Sequence, residues 1–307
     1  MIRVVQGDLQ QLSKLYPKPD RVLQANQKEN IQQEIRTVMA RALKAATEQG
    51  LETLMLPVVN TREQEISVAE MAPLMVSEAR RHMSFHTGLR EVTFALPDEA
   101  GVHFFEEVIN RNKVVCLGDS ITYGYPDGPG FSWVTKVIDN AGYPMLNRGI
   151  NGETTGQMLD RLQRDVISEK PAYLIFAGGH NDGWQKVSLP RVQHNIQQVV
   201  ESVLRQGICP IMVLPSPLNI EQLLQCFDGT RRDAEEYHEN LGQIRQWIDQ
   251  YAKEREFLTL DFHTPLLLTG TDQGDPRYLL DGGHPTHEGY RLLGQAAIRQ
   301  LANRLHF

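Results

Sequence analysis

Four short polar motifs contain the residue types that acyl transfer needs, and three of them follow apolar runs of strand length. They are Gly118-Asp119-Ser120, Arg148-Gly149-Ile150-Asn151-Gly152-Glu153-Thr154, Gly178-Gly179-His180-Asn181-Asp182 and Asp281-Gly282-Gly283-His284-Pro285. The fourth motif precedes the last helical segment of the chain. Ligands of open α/β sheets bind just past the carboxyl ends of the strands, so this placement favours one shared site.

The first and last motifs can supply a nucleophile, a base and an acid. Ser120 offers a hydroxyl, which attacks a carbonyl only when a nearby base takes its proton. His284 is the candidate base, and Asp281, three residues earlier, can hold the second nitrogen of the imidazole. Taken singly, each residue is more typical of a turn or a loop cap. The occurrence of all four motifs together favours the catalytic interpretation.

Alternating strands and helices must position these motifs. From Lys113 onward the pattern predicts five strands, at Val114–Leu117, Pro144–Asn147, Ala172–Phe176, Ile211–Leu214 and Phe257–Asp261. Helical spacing is predicted near Trp133–Ile138, over Gln157–Ile167, along the faces Val192–Val203 and Tyr237–Tyr251, and from His287 to Leu305. Five strands with interleaved helices predict an α/β fold, a doubly wound, flavodoxin-like three-layer sandwich with a parallel sheet.

The order Ser, Gly, Asn, Asp, His across these motifs resembles the SGNH (GDSL-like) hydrolase family over about residues 112–307. The resemblance implies that Ser120, Asp281 and His284 are catalytic. It implies an oxyanion hole made of the Ser120 amide, the Gly152 amide and the side chain of Asn181, with Gly149 as the alternative glycine. It further implies no cofactor and no metal. Asp119 and Asp182 are expected to hydrogen-bond loop amides beside the site.

The first 110 residues alternate in the same way. Strands are predicted at Ile2–Val5, Asp20–Leu23, Leu51–Val59 and Glu91–Leu96, and helices at Asn30–Gln49, Ala69–Met83 and Glu99–Asn110. This order predicts a smaller α/β domain over residues 1–110, with a largely parallel sheet. Residues 111–307 would then form the hydrolase domain.

The smaller domain resembles a macro domain in Val4-Val5-Gln6-Gly7-Asp8 and Val22-Leu23-Gln24-Ala25-Asn26. The resemblance implies that Asp8 and Asn26 would help to hold ADP-ribose. The glycine-rich phosphate loops of that family are missing, however, and Asn60-Thr61-Arg62-Glu63-Gln64-Glu65 stands where one should follow a strand. Backbone amides approach a diphosphate closely only where glycine permits. We therefore predict a degenerate relative that has lost nucleotide binding and has a structural or interface role.

Composition excludes several classes of function. The net charge of −7 argues against a general nucleic-acid binder, which needs a basic face. No apolar run approaches the length of a membrane span, and the polar start of the chain does not resemble a secretory signal, so we expect a cytoplasmic protein. The three cysteines lack metal-ligand spacing, and Cys116 and Cys209 are expected to be buried.

Other residues that could take part in binding have competing interpretations. His82 and His86 have i, i+4 spacing, but a solvated helix face is favoured over a metal site because no third ligand is near. His180 and His287 could touch substrate or simply pack. Trp133 is expected in the core, whereas Trp184 could line a pocket. Three connections are candidates for choosing the substrate: Tyr123–Phe131, Gly183–Pro190 and Ser216–Arg232, the last a long insertion-like loop.

The sequence thus predicts a serine esterase that hydrolyses carboxylic esters of short acyl or acetyl groups through an acyl-enzyme intermediate. A thioesterase or lysophospholipase is the enzymatic alternative, and an ADP-ribose-type ligand bound by the N-terminal domain is the non-enzymatic one. The expected partner is a small-molecule ester, with no nucleic acid and no membrane span. Oligomeric state is left open, with the N-terminal domain as a candidate dimer interface.

Overall fold

The computed structural model describes residues 1–7, 28–58, 66–86 and 88–307. Contacts between residues divide the chain into two compact units. The small unit comprises Met1–Asn112 with Val203–Cys209 and Asn303–Phe307, and the large unit comprises Lys113–Ser202 with Pro210–Ala302. The assignment of separate functions to two domains stays a prediction.

The small unit contains a three-stranded parallel sheet in which the last strand lies in the middle. Its strands are β1 (Ile2–Gln6), β2 (Thr53–Pro57) and β3 (Glu91–Leu96), in the order β1-β3-β2. Its helices are α1 (Lys28–Glu48), α2 (Val68–Phe85) and α3 (Glu99–Ile109). The strand predicted at Asp20–Leu23 lies outside the described residues, as do Asp8, Asn26 and the 60–65 segment. The macro-domain resemblance therefore stays a prediction.

Helix α2 is buried along most of its length, and this corrects one expectation. His82 is only 1% exposed, and its Nε2 lies 2.7 Å from Thr47 Oγ1 of α1. The interpretation of this position as a solvated helix face was wrong because α2 packs against both α1 and α3. Arg80, also on α2, is fully buried and donates from Nη2 to the carbonyls at the end of α3, those of Val108, Ile109 and Arg111.

The large unit is built on a five-stranded sheet of flavodoxin type. Its strands are β4 (Val114–Gly118), β5 (Met145–Gly149), β6 (Tyr173–Ala177), β7 (Cys209–Leu214) and β8 (Thr259–Asp261), in the order β5-β4-β6-β7-β8. Strand β4 pairs in parallel with β5 and β6, and β7 pairs in parallel with β8. Counted along the chain, this is the order 2-1-3-4-5 of a doubly wound sheet. The predicted α/β fold is confirmed.

Nine helices are described in the part of the large unit's chain from Ser120 to Leu301. They are α4 (Ser120–Tyr123), α5 (Trp133–Ala141), α6 (Thr155–Asp160), α7 (Leu162–Asp165), α8 (His180–Trp184), α9 (Leu189–Arg205), α10 (Ile220–Cys226), α11 (Arg231–Glu254) and α12 (His287–Leu301). Two predictions need correction here. The expected continuous helix Gln157–Ile167 is interrupted at Arg161, and the expected loop Ser216–Arg232 contains α10.

Apolar residues fill the sheet on both faces, as a doubly wound fold requires. Every residue of β4 is buried, and Trp133 is fully buried at the start of α5. Cys116 and Cys209 are also buried, in agreement with their predicted role as small apolar side chains. None of the helices among the described residues has the length and apolar character that crossing a bilayer demands.

The sheet order fixes where a ligand can bind. The connections from β4 and β6 leave in opposite directions, so a crevice opens beyond the carboxyl ends of these two neighbouring strands. The polar motifs at 118–120 and 178–182 follow β4 and β6 directly.

Candidate active site

Ser120 lies at the turn between β4 and α4. The Asp119 side chain caps this turn by accepting a hydrogen bond from the Ile121 amide at 3.0 Å. Asp119 is 2% exposed, and its burial raises the pKa of the carboxyl to about 7, although the Ile121 amide and the nearby His284 act in the opposite direction. The capped turn holds Ser120 at the carboxyl edge of the sheet. The role predicted for Asp119, bonding a loop amide, agrees with this contact.

A chain of two hydrogen bonds joins Ser120, His284 and Asp281. Ser120 Oγ lies 2.8 Å from His284 Nε2, and His284 Nδ1 lies 2.8 Å from Asp281 Oδ2. A carboxylate at Nδ1 favours the tautomer with its proton on Nδ1, which leaves Nε2 free to accept the serine proton. The structure therefore brings together the three residues predicted as nucleophile, base and orienting acid.

Asp281 is fixed by the backbone of its own loop. Its Oδ1 accepts hydrogen bonds from the Gly283 and His284 amides, at 3.0 and 2.8 Å. Burial acts to raise the pKa of Asp281, but the hydrogen bond and charge of His284 together with the two amides outweigh it, and the pKa lies below its ordinary value. The carboxylate is thus ionised at neutral pH and able to stabilise an imidazolium.

Tyr125 forms a wall against the imidazole of His284. The two ring centroids are 4.5 Å apart, and the Tyr125 carbonyl accepts a hydrogen bond from the Tyr290 hydroxyl at 3.0 Å. Sequence reasoning placed Tyr125 within a candidate substrate loop but did not assign it a contact. Its type alone carries no signal for that, because the contact depends on how the 123–131 segment folds back.

The two predicted oxyanion donors outside the serine turn lie on neighbouring loops. Asn181, on α8, donates from Nδ2 to the Glu153 carbonyl at 3.0 Å, so it stands beside the loop that carries Gly152. Its second Nδ2 hydrogen can serve a ligand. Ser120 is the first residue of α4, where backbone N–H groups have no intrahelical acceptor.

The two glycines of this loop have different conformational roles. Gly152 has φ +80, and a Cβ there would meet nothing within 4 Å. By contrast, a Cβ on Gly149 would lie 2.1 Å from the Tyr123 amide nitrogen. Gly149 therefore permits close packing of β5 on α4, whereas Gly152 stands in open space with a backbone conformation that favours glycine. The open position suits an amide that must face a ligand.

Asp182 is a fully buried support behind the site. It accepts hydrogen bonds from the Thr155 amide at 2.9 Å and from Thr155 Oγ1 at 2.6 Å. Burial raises its pKa, against the hydrogen bonds from Thr155. The carboxyl ties α8 to α6, which agrees with the predicted contact to a loop amide.

The other two histidines near the motifs lie in different surroundings. His180 is buried, and its ring nitrogens lie 3.0 Å from the Tyr237 hydroxyl and 3.0 Å from Ser216 Oγ. Burial lowers the pKa of His180 to about 3, so the ring is neutral at ordinary pH. His287 is exposed, with its Nε2 2.7 Å from Asp127 and its ring stacked on Phe131. His180 thus packs, and His287 lies at the surface.

Arg161 is a buried residue that sequence reasoning missed. Its Nε donates to Glu153 Oε2 at 2.6 Å and its Nη1 to Asp165 Oδ2 at 2.8 Å. Its Nη2 donates to the Gly118 carbonyl at 3.1 Å and the Arg148 carbonyl at 2.9 Å. An arginine inside a predicted helix is typical of a solvated face, so its type and spacing gave no signal for this role.

A hydroxyl, an imidazole and a carboxylate in series are the arrangement of a serine hydrolase, here at the switch point of a flavodoxin-like sheet. The family model for the GDSL-like lipase/acylhydrolase family matches residues 116–292. The chain therefore belongs to this family and is a carboxylic ester hydrolase. The predicted absence of metal and cofactor stays a prediction.

Curated relatives match part of the chain at low identity. An uncharacterized lipoprotein of Bacillus subtilis (strain 168), YqeF, is 30% identical over 57% of this chain and 76% of its own length. An acetylxylan esterase of Geobacillus stearothermophilus is 28% identical over 62% of this chain and 93% of its own.

A solved structure supports the fold. A G-D-S-L family protein from Desulfitobacterium hafniense DCB-2 matches with a TM-score of 0.53 and 31% identity. The match covers 62% of this chain and all of that one.

Proposed function

We propose that Ser120, His284 and Asp281 hydrolyse carboxylic esters of short acyl groups through an acyl-enzyme intermediate. The observation that carries this proposal is the continuous chain from Ser120 Oγ to His284 Nε2 and from His284 Nδ1 to Asp281, both at 2.8 Å. A serine hydroxyl in contact with an oriented imidazole is the activated nucleophile of acyl transfer.

The first half of the reaction forms the acyl-enzyme. His284 takes the proton of Ser120 as Oγ bonds to the carbonyl carbon, and the carbonyl oxygen becomes the oxyanion. The amides of Ser120 and Gly152 and the Nδ2 group of Asn181 donate to that oxyanion. His284 then returns the proton to the alcohol oxygen, the ester bond breaks, and the alcohol leaves.

The second half releases the acid. Water loses a proton to His284 while its oxygen bonds to the acyl carbon, and the same donors hold the second oxyanion. The bond to Ser120 Oγ then breaks, and the serine regains its proton from His284. Asp281 stays ionised throughout and stabilises the imidazolium, as its lowered pKa favours.

Support for a short acyl group comes from similarity to the acetylxylan esterase. For the alcohol portion we propose contact with Trp184, which is exposed on the same helix as Asn181. Its ring packs on those of Phe227 and Tyr237, at centroid distances of 5.8 and 5.4 Å, so its position is supported from behind. A supported, exposed aromatic face suits a sugar or aryl alcohol.

The test of the nucleophile is Ser120→Ala with p-nitrophenyl acetate as substrate. This substitution removes one oxygen and should lower kcat by about 10⁴-fold or more. Ser168→Ala changes an exposed serine elsewhere in the large unit and is the matched control. A fluorophosphonate should label the native protein at Ser120 and leave Ser120→Ala unlabelled. Near-native turnover by Ser120→Ala would reject the proposal.

A panel of esters separates the substrate classes. The panel contains acyl chains from acetyl to palmitoyl, each offered as a p-nitrophenyl ester, a thioester and a lysophospholipid. Acyl length and leaving group are thereby varied separately. We expect the highest kcat/KM with acetyl or another short acyl group on an oxygen ester. A preference for long acyl thioesters or lysophospholipids would favour the alternative thioesterase or lysophospholipase activity.

For the small unit we propose no nucleotide binding, because glycine-rich phosphate loops are missing from its sequence. Titration calorimetry of the whole chain with ADP-ribose should give no binding heat. A sub-millimolar Kd would contradict this expectation and restore the macro-domain ligand.

A further inference from the structure

The buried guanidinium of Arg161 contacts both sides of the proposed site. Gly118, whose carbonyl it binds, is the last residue of β4 and precedes the Asp119-Ser120 turn. Glu153, whose carboxylate it binds, follows Gly152 in the loop after β5. One rigid, planar group therefore joins the strand that delivers the nucleophile to the loop that delivers an oxyanion donor.

The contacts of Glu153 extend this connection to the third donor. Its side chain pairs with Arg161 at 2.6 Å, while its carbonyl accepts from Asn181 Nδ2 at 3.0 Å. Both side chains of the ion pair are largely buried, with 6% and 14% exposure, so water screens the pair weakly. The Ser120, Gly152 and Asn181 donors thus share one network.

Gly152 needs such a support because few neighbouring atoms pack against it. The residue is exposed, and no atom outside residues 151–153 lies within 4 Å of the position a Cβ would take. An oxyanion donor must stand about 2.7–3.1 Å from the developing charge, and small displacements cost rate. The position of the Gly152 amide therefore depends on its neighbour Glu153, which Arg161 holds.

We propose that Arg161 is a positioning residue that sets the distance between Ser120 and the oxyanion donors through Glu153. The inference rests on the proposed function of Ser120. It predicts that Arg161 contributes to kcat, through the transition state, and not to the binding of the ester. A role confined to folding would instead affect thermal stability alone.

The main test is Arg161→Lys assayed with p-nitrophenyl acetate. Lysine keeps the charge but lacks the planar fork, so it cannot hold the Glu153 carboxylate and the carbonyls of Gly118 and Arg148 together. We expect kcat to fall by about 10–100-fold, less than the loss of a whole oxyanion donor, with KM changed by less than about threefold.

Arg164→Lys is the matched control in the same segment. Arg164 is 71% exposed and pairs with Asp165, the carboxylate that it shares with Arg161. Its substitution should leave kcat within about twofold of the native value. An equal loss in Arg161→Lys and Arg164→Lys would place the effect in the shared Asp165 and overturn the inference.

A second variant decides the matter if Arg161→Lys does not fold. Glu153→Gln keeps the shape and the backbone carbonyl but weakens the contact to Arg161, and kcat should fall by about 3–10-fold. Native kcat in a folded Glu153→Gln protein would overturn the inference.

A double-mutant cycle with Asn181→Ala provides a readout that a structural role would not move. If Arg161 acts through the oxyanion donors, the kcat losses of Arg161→Lys and Asn181→Ala combine to less than their product. Independent, multiplicative losses would contradict the inference.

Activity in Ser120→Ala would reject the proposed function, whereas an inactive Ser120→Ala with a fully active Arg161→Lys would reject only the role of Arg161.

Discussion

Arg80 in the small unit and Arg161 in the large unit are both buried arginines that donate to backbone carbonyls. Arg80 binds carbonyls of residues 108, 109 and 111 at one helix end, and its Nε donates to the His306 carbonyl at 3.1 Å. Arg161 binds carbonyls at the ends of two strands, β4 and β5, and a carboxylate of the following loop. The same donor group therefore joins a helix end to the C-terminal segment within one unit, and it connects three segments of the proposed site in the other.

The strand ends of the two units differ in a similar way. After β3, Asp98 caps α3 by accepting from the Gly101 amide at 2.7 Å. After β4, Asp119 caps α4 in the same manner, but the next residue is Ser120 and its hydroxyl meets His284. Parallel sheets and capped helices are common to both units. A catalytic site also needs side chains from separate loops to meet, as Ser120 and His284 do in the large unit.

The largest effect on kcat is expected for Asp281→Asn, in the large unit. An amide cannot replace the carboxylate that fixes the His284 tautomer and stabilises its charge, so kcat should fall by about 10⁴-fold. Asp127→Asn is the control, because Asp127 also makes a short contact to a histidine, His287, at 2.7 Å. That exposed pair should change kcat by less than about threefold. Similar losses in both variants, measured with p-nitrophenyl acetate, would contradict the assignment of Asp281.

The next effect is expected for Asn181→Ala. Removal of one oxyanion donor should lower kcat by about 10²–10³-fold and leave KM nearly unchanged. Asn140→Ala removes an exposed asparagine whose Nδ2 bonds only within its own helix, and it should retain native kcat. A rise in KM with native kcat would assign Asn181 to substrate binding instead.

Arg80→Ala should give the opposite signature. Loss of a charged donor to four carbonyls should lower the free energy of unfolding by about 3 kcal/mol, measured by urea titration. The kcat of the folded protein should not change. A loss of kcat as large as that of Arg161→Lys, without loss of stability, would remove the distinction between the two arginines.

The smallest effect concerns the buried His180 and acid pH. Its pKa is about 3 in the folded protein, against about 6.5 in the unfolded chain, so the unfolded chain binds a proton that the folded protein excludes. The stability from this group is complete above pH 6.5 and falls as pH decreases toward 3. At pH 5 the loss is about 2 kcal/mol.

His180→Gln should remove that pH dependence. Urea titrations at pH 7 and pH 5 should show a difference in unfolding free energy that is smaller than the native one by about 2 kcal/mol. His194→Gln changes an exposed histidine and should keep the native difference. An unchanged difference in His180→Gln would mean that His180 is not held neutral.

The regular elements were predictable because local patterns determine them. β3 was predicted at its observed bounds, and β4 and α12 were predicted with their first residues correct. Apolar alternation and capping residues lie in the sequence itself, so these signals do not require tertiary information. The site residues were predictable for a different reason, since a family motif specifies their order. Their catalytic roles stay a proposal that the variants above test.

The features that sequence reasoning missed depend on tertiary contacts. The predicted helix Gln157–Ile167 is interrupted at Arg161, whose side chain points inward to the carbonyls of β4 and β5. Helical periodicity cannot indicate a charged residue that leaves the pattern for a distant partner. The buried His180 was left undecided for the same reason, because its partners Tyr237 and Ser216 lie 57 and 36 residues away. Prediction from local periodicity and residue type fails where a contact to a residue distant in sequence determines the conformation.

The loop that carries Asp281 and His284 has a mechanical consequence. Base and acid are three residues apart. Asp281 accepts hydrogen bonds from the Gly283 and His284 amides as well as from the His284 ring. The pair therefore moves as one rigid body, and a displacement of the loop preserves the imidazole orientation while it changes the distance to Ser120. Substitutions at the base of this loop should thus change activity through one distance, that between His284 Nε2 and Ser120 Oγ. Residues 281–284 can therefore be treated as one unit when the site is redesigned.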